Sequence, residues 1–277
     1  MSRKERQLQQ RRMVKKLFIM WGILGIIGFV WLVYTIISWL SGLFKGAPEQ
    51  TSISGEYLEH VWAQEETWQD GVGQEYAPDC LELYEANKEL LVLVNREHEL
   101  EEGAYEDSRR SICNGRLQAS DYLYEDLVDL LAAADEEGHQ YWIASAYRSR
   151  KRQQELVDED VARYMAQGMS RQLALEKTYE QTMPAGKSEH ETGLALDILC
   201  SENPNMDVTQ ANEPGNKWLV EHAHEYGFIL RYPADKEEIT GILYEPWHFR
   251  YVGKEAALFL WKSNLTLEEF WEILESE

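Results

Sequence analysis

Between Leu194 and Leu199 the chain reads LALDIL, an apolar run with one carboxylate, Asp197, inside it. A run of that composition belongs in a core. A buried, unpaired charge costs several kcal/mol, so Asp197 must be paired, hydrogen-bonded or bound to a metal. The stretch Ser188 to Asp197, SEHETGLALD, also places His190 seven residues before the aspartate, across Gly193. A helix cap or a core salt bridge would explain the aspartate alone. A second cluster downstream, Glu245-Pro246-Trp247-His248 followed by Phe249-Arg250-Tyr251, adds metal-type side chains and favours the metal.

Three protein ligands with a fourth position left for water are the usual set of a hydrolytic zinc site. His190, Asp197 and His248 would supply two nitrogens and one carboxylate oxygen. Glu245, three residues before His248, is the candidate general base. Positions three apart on a straight strand face opposite sides, so Pro246 must bend the chain if both are to reach one site. The helical motif H-E-x-x-H is absent, because His190-Glu191 is followed by Leu at position 194. Glu191 is therefore read as solvated or structural. His222 and His224, two apart on an expected helix, diverge by about 200° and chelate poorly. His60, His98 and His139 stand alone. Arg148 is a cation at an expected strand end, suited either to a surface salt bridge or to gripping a carboxylate or developing oxyanion.

Residues 1–16 carry seven Lys or Arg against one acid, and the remaining chain has 20 basic and 48 acidic side chains, a net charge of −28. So acidic a body excludes nucleic acid as a partner, since that binding runs through Lys and Arg clusters. Between Lys16 and Lys45 lie 28 uncharged residues, enough for a membrane-spanning helix of about 20 residues with some tilt. A cleaved signal peptide has a shorter apolar region, about 7–15 residues. The sequence thus predicts a cytoplasmic basic tail (1–16), a single-pass transmembrane anchor (17–44), an extracellular spacer (45–78) and an extracellular domain (79–277). Three cysteines, Cys80, Cys113 and Cys200, make no disulfide framework and no CxxC pair.

Within the domain, periodicity predicts strands at Leu90–Val94, Tyr141–Tyr147, Phe228–Tyr232 and His248–Val252. Helices are expected after Ser120, from Lys151 to Gln167, from Ser170 to Thr182, around Trp218–Tyr226, and at Lys254–Lys262 and Leu267–Glu275. Few, short strands among helices predict an α+β fold with a small, mainly antiparallel sheet flanked by helices.

Four segments, YRS at Tyr147–Ser149, SEHETGLALDI at Ser188–Ile198, GFILRYP at Gly227–Pro233 and EPWHFRYVG at Glu245–Gly253, together resemble the VanY-type D-alanyl-D-alanine carboxypeptidases. These belong to the superfamily of lysostaphin, the D-Ala-D-Ala metallopeptidases and the zinc domain of hedgehog proteins. The likeness runs in order from about Leu90 to Ala257 and leaves residues 1–88 outside. One departure is Pro184-Ala185-Gly186-Lys187, where many relatives have Pro-Gly directly before Ser-x-His. The resemblance implies the hedgehog-like fold and one Zn2+ held by His190, Asp197 and His248. It implies Glu245 as general base, Arg148 stabilising the transition state or gripping substrate, and Ser188, Gln154, Trp247 and Tyr251 near the substrate. The substrate implied is the peptidoglycan stem peptide, cut at its terminal D-alanine with D,D- or L,D-specificity. An endopeptidase of the same superfamily, or a wall-binding module without turnover, are the alternatives.

Overall fold

The computed structural model describes residues 80–276. The tail, the candidate anchor and the spacer expected at 1–16, 17–44 and 45–78 lie outside those residues. Among the described residues no helix is long and apolar enough to cross a membrane.

Four short strands form one antiparallel sheet in the order β3-β4-β6-β5: β3 (Tyr141–Ser145), β4 (Ala195–Cys200), β5 (Phe228–Leu230) and β6 (His248–Tyr251). Strand alternation gives this sheet two unlike faces. Leu196 and Ile198 of β4, with Phe249 and Tyr251 of β6, enter the main core. There they meet Leu127 and Leu130 of helix α2 (Tyr124–Glu136) and Leu219 of α5 (Pro214–His222). The other face carries Asp197 of β4 and His248 of β6. Register makes these two direct partners, Asp197 opposite His248 and Ala195 opposite Arg250. Opposed residues in an antiparallel pair have Cβ atoms about 5 Å apart, so the fold itself brings two candidate ligands together.

A smaller hairpin, β1 (Arg109–Ile112) with β2 (Leu117–Ser120), precedes α2. Its four-residue strands, RRSI and LQAS, are too short to carry a period-two signal. Gly193 binds it to the site: Ser120 N donates to the Gly193 carbonyl at 2.8 Å. Gly193 has φ +74°, and a Cβ there would lie 2.9 Å from Ser120 N, so only glycine fits the close approach.

Helix α3 (Arg150–Ala166) starts at Ser149, whose hydroxyl accepts from Arg152 N. It packs on α4 (Arg171–Thr178) through Val157, Val161 and Ala174. The C-terminal helices α7 (Lys254–Ser263) and α8 (Leu267–Ser276) build a second core with α1 (Cys80–Asn87). A single helical turn, α6 (Glu237–Thr240), lies between β5 and β6.

One expected strand is absent. Leu90–Val94 is irregular, although Leu91, Leu93 and Val94 are buried. Its carbonyls are satisfied by side chains instead of a ladder: Arg250 Nη2 donates to Leu90 and Val92, and Trp271 Nε1 to Leu91. A short apolar run reports burial, and burial alone does not fix backbone conformation.

Candidate metal centre

A 3-10 turn at Glu189–Glu191 leads through a turn at Thr192 and Gly193 into β4, which sets His190 beside Asp197. One ligand atom from each of His190, Asp197 and His248 lies within 4.8 Å of the others, and all three residues are buried. His190 Nε2 is 3.3 Å from Asp197 Oδ2, and His248 Nδ1 is 3.2 Å from Asp197 Oδ1, neither with hydrogen-bond geometry. Asp197 Oδ1 is buried without any hydrogen-bond partner. An orphaned carboxylate oxygen facing two imidazole nitrogens is what a divalent cation would satisfy.

The outer nitrogens agree. His190 Nδ1 is 2.7 Å from the Ala146 carbonyl, so it carries the proton and leaves Nε2 as the inward lone pair. His248 Nε2 faces Glu189 Oε2 at 3.4 Å, which leaves Nδ1 inward. The residues present therefore fit a metal ion held by His190, Asp197 and His248.

Glu245 reaches the same place through a turn. His248 N donates to the Glu245 carbonyl at 3.1 Å around Pro246, and this reversal sets Glu245 Oε2 3.7 Å from His248 Nδ1. The bend demanded of Pro246 is thus present. Burial pushes the Glu245 carboxyl up to about 8, with the Asp197 charge adding to burial and His248 and Arg148 opposing it. Arg148 follows β3. Its Nη1 donates to Gln153 Oε1 at 2.8 Å and its Nη2 to Ser145 Oγ at 2.9 Å, with Asp197 Oδ2 3.8 Å away. These residues line one cleft of about 360 Å³, together with Ser188, Trp247 and Tyr232.

Residues 116–254 match the family model of VanY, D-alanyl-D-alanine carboxypeptidase. The chain belongs to this family. VanY-family proteins are peptidase hydrolases. A D-alanyl-D-alanine carboxypeptidase of Enterococcus faecalis is 40% identical over 183 residues, a match spanning 65% of this chain and 65% of that relative. The solved structure of a mutant VanY D,D-pentapeptidase from the VanB-type vancomycin-resistance cassette, in complex with Zn(II), is 38% identical with a TM-score of 0.60. It matches 66% of this chain and 99% of its own. The LD-carboxypeptidase LdcB, solved in the context of peptidoglycan recognition, is 33% identical with a TM-score of 0.58, covering 66% of this chain and 86% of its own.

Two residues assigned to the substrate from the VanY resemblance lie elsewhere. Gln154 is exposed and donates to Asp158 at 3.0 Å, one turn along α3. Its neighbour Gln153 lines the cleft, fixes Arg148 and donates Nε2 to the Met183 carbonyl at 2.5 Å. The helical phase decides this, since 153, 157 and 161 form the buried stripe of α3. Tyr251 lies on the core face of β6, against Phe228, with its hydroxyl donating to Asp126 at 2.6 Å. Alternation from His248 puts Tyr251 on the opposite face from the metal centre. Glu191 is structural: its carboxylate accepts from Gly186 N at 2.6 Å and from Arg150 Nε at 3.2 Å.

Two further residues at the site went unread in the sequence. Tyr232 lines the cleft with its ring 4.9 Å from that of His248. Glu189, between Ser188 and His190, is fully buried. The signal for Glu189 was present: Arg231 and Arg250 stand in otherwise apolar strand segments and require a buried anion.

Proposed function

We propose that this chain is a zinc-dependent carboxypeptidase that removes the terminal D-alanine from peptidoglycan stem peptides. The observation that carries the proposal is the convergence of His190, Asp197 and His248 with buried Glu245 and Arg148 on one cleft. A zinc ion bound there supplies a Lewis acid for the scissile carbonyl and acidifies water. Glu245, buried in the wall of the same cleft, takes the proton of the attacking water and returns it to the leaving amine. Arg148 is oriented by Gln153 and Ser145 and presents its guanidinium to negative charge, either the substrate carboxylate or the oxyanion. Ser188, Trp247 and Tyr232 shape the surrounding wall and limit water.

The proposed enzyme is held in the membrane by residues 17–44, with residues 45–277 outside, where the stem peptides are. The uncharged run and its basic flank support this arrangement. Protease added to intact spheroplasts then degrades the C-terminal region; full protection would contradict the orientation.

The activity is tested by incubating the zinc-loaded full chain with defined penta- and tetrapeptide stems and following the products by mass spectrometry. Release of D-alanine that stops on chelation and returns with zinc is expected. The substrate consumed separates D,D- from L,D-specificity. Cleavage only at internal bonds would favour an endopeptidase, and zinc binding with no cleavage would favour a wall-binding module.

A further inference from the structure

The most heavily bonded side chain around the His248 ring is neither a ligand nor the base. Glu189 is 1% exposed, and its two oxygens are divided between different tasks. Oε1 accepts from Arg231 Nε and Arg250 Nη1, each at 2.7 Å, while Oε2 faces His248 Nε2 at 3.4 Å. Both arginines are fixed from behind. Arg231 Nη1 and Nη2 donate to the Glu268 carboxylate of α8 at 2.8 and 2.6 Å, and Arg250 Nη2 donates to the Leu90 and Val92 carbonyls at 2.8 and 2.9 Å. A carboxylate that served only to balance two guanidiniums has no need to give one oxygen to an imidazole.

We propose that Glu189 is a positioning residue for the metal centre. It accepts the Nε2 proton of His248 and so keeps Nδ1 as the nitrogen presented inward, while Arg231 and Arg250 hold the carboxylate in place. His190 has its own acceptor in the Ala146 carbonyl, so each imidazole of the centre is oriented by one outer oxygen. Through Arg231, the Glu268 end of this network ties helix α8 to His248. The inference rests on the zinc reading of the site.

Three measurements on the full chain test it: zinc affinity by competition with a chromophoric chelator, the thermal midpoint of the metal-free protein, and two-bond 1H–15N spectra of the zinc-loaded wild-type imidazoles. Glu189→Gln lowers zinc affinity about 10- to 100-fold, the usual effect of removing the outer partner of a histidine ligand. Glu268→Gln, which loosens Arg231 without touching His248, lowers the thermal midpoint and lowers zinc affinity by less than Glu189→Gln does. A folded Glu189→Gln protein with wild-type zinc affinity overturns the proposal. So does a wild-type spectrum with the His248 proton on Nδ1 and the metal on Nε2. Where Glu189→Gln fails to fold, that spectrum decides alone. Wild-type protein that binds no zinc overturns the metal reading itself, a separate outcome.

Discussion

Glu189 and Glu245 lie on opposite sides of the His248 ring, the first at Nε2 and the second at Nδ1, and both are buried. Their surroundings differ. Around Glu189, burial alone would raise the carboxyl, but Arg231, Arg250 and His248 outweigh it and hold the group well below the usual carboxylate range. Among the described residues the one basic nitrogen within 4.0 Å of Glu245 is His248 Nδ1 at 3.7 Å, and burial prevails there, pushing it up to about 8. A carboxylate ringed by guanidiniums keeps its charge and can only hold. One buried with no guanidinium bonded to it is free to exchange a proton, which is what a general base must do.

The largest effect that would break this division is loss of the shared floor. Asp197→Asn should weaken zinc binding by more than the about 10- to 100-fold expected of an outer partner, with activity lost in parallel. Metal content and D-alanine release on one preparation check this. Next, Arg148→Lys keeps the charge but loses the planar fork that meets Gln153 and Ser145, and should lower kcat/KM by about 10²- to 10³-fold with zinc retained.

The proton-holding side predicts a pH dependence of the metal-free protein. Burial alone would lower the His248 imidazole, yet the facing Asp197 and Glu189 carboxylates raise it to about 9. A group raised on folding adds stability that is fully present below its ordinary value of 6.5 and is lost as pH climbs through 9. Glu245, raised from 4.5 to about 8, acts in the same direction over its own range. The thermal midpoint of metal-free protein should therefore fall from pH 6.5 to 9, and zinc should flatten the fall, because the ion replaces the proton on His248. A midpoint that rises over this range contradicts the assignment. The smallest effects separate neighbours on α3. Gln153→Ala removes one buried and one part-buried hydrogen bond and should cost about 1–3 kcal/mol along with activity, while exposed Gln154→Ala should stay within about 0.5 kcal/mol of wild type with full activity.

The candidate ligand pair was legible from chemistry, an acid inside the apolar run LALDIL and a histidine opening HFRY, while the strand register that sets the two opposite each other was not. Glu245 was legible through the turn that Pro246 requires. What escaped depended on phase or on partners distant in sequence. Gln153 and Gln154 have the same chemistry, and only the point at which Ser149 caps α3 decides which one faces inward. Tyr251 sits in a motif that points to the site, but alternation sends it to the core. Leu90–Val94 has strand composition, yet its carbonyls are claimed by Arg250 and Trp271, contacts across about 160 and 180 residues. For Glu189 the signal was indirect: Arg231 and Arg250 require a buried anion, and only the fold shows that Glu189 supplies it.

The contrast between the two glutamates is tested most directly by Glu245→Gln, with zinc content and D-alanine release from a defined stem peptide measured on the same sample. The account predicts a fully zinc-loaded protein whose turnover is down by at least about 10²- to 10⁴-fold, the range of a lost general acid–base group. Retained turnover, or loss of zinc from this variant, would contradict it.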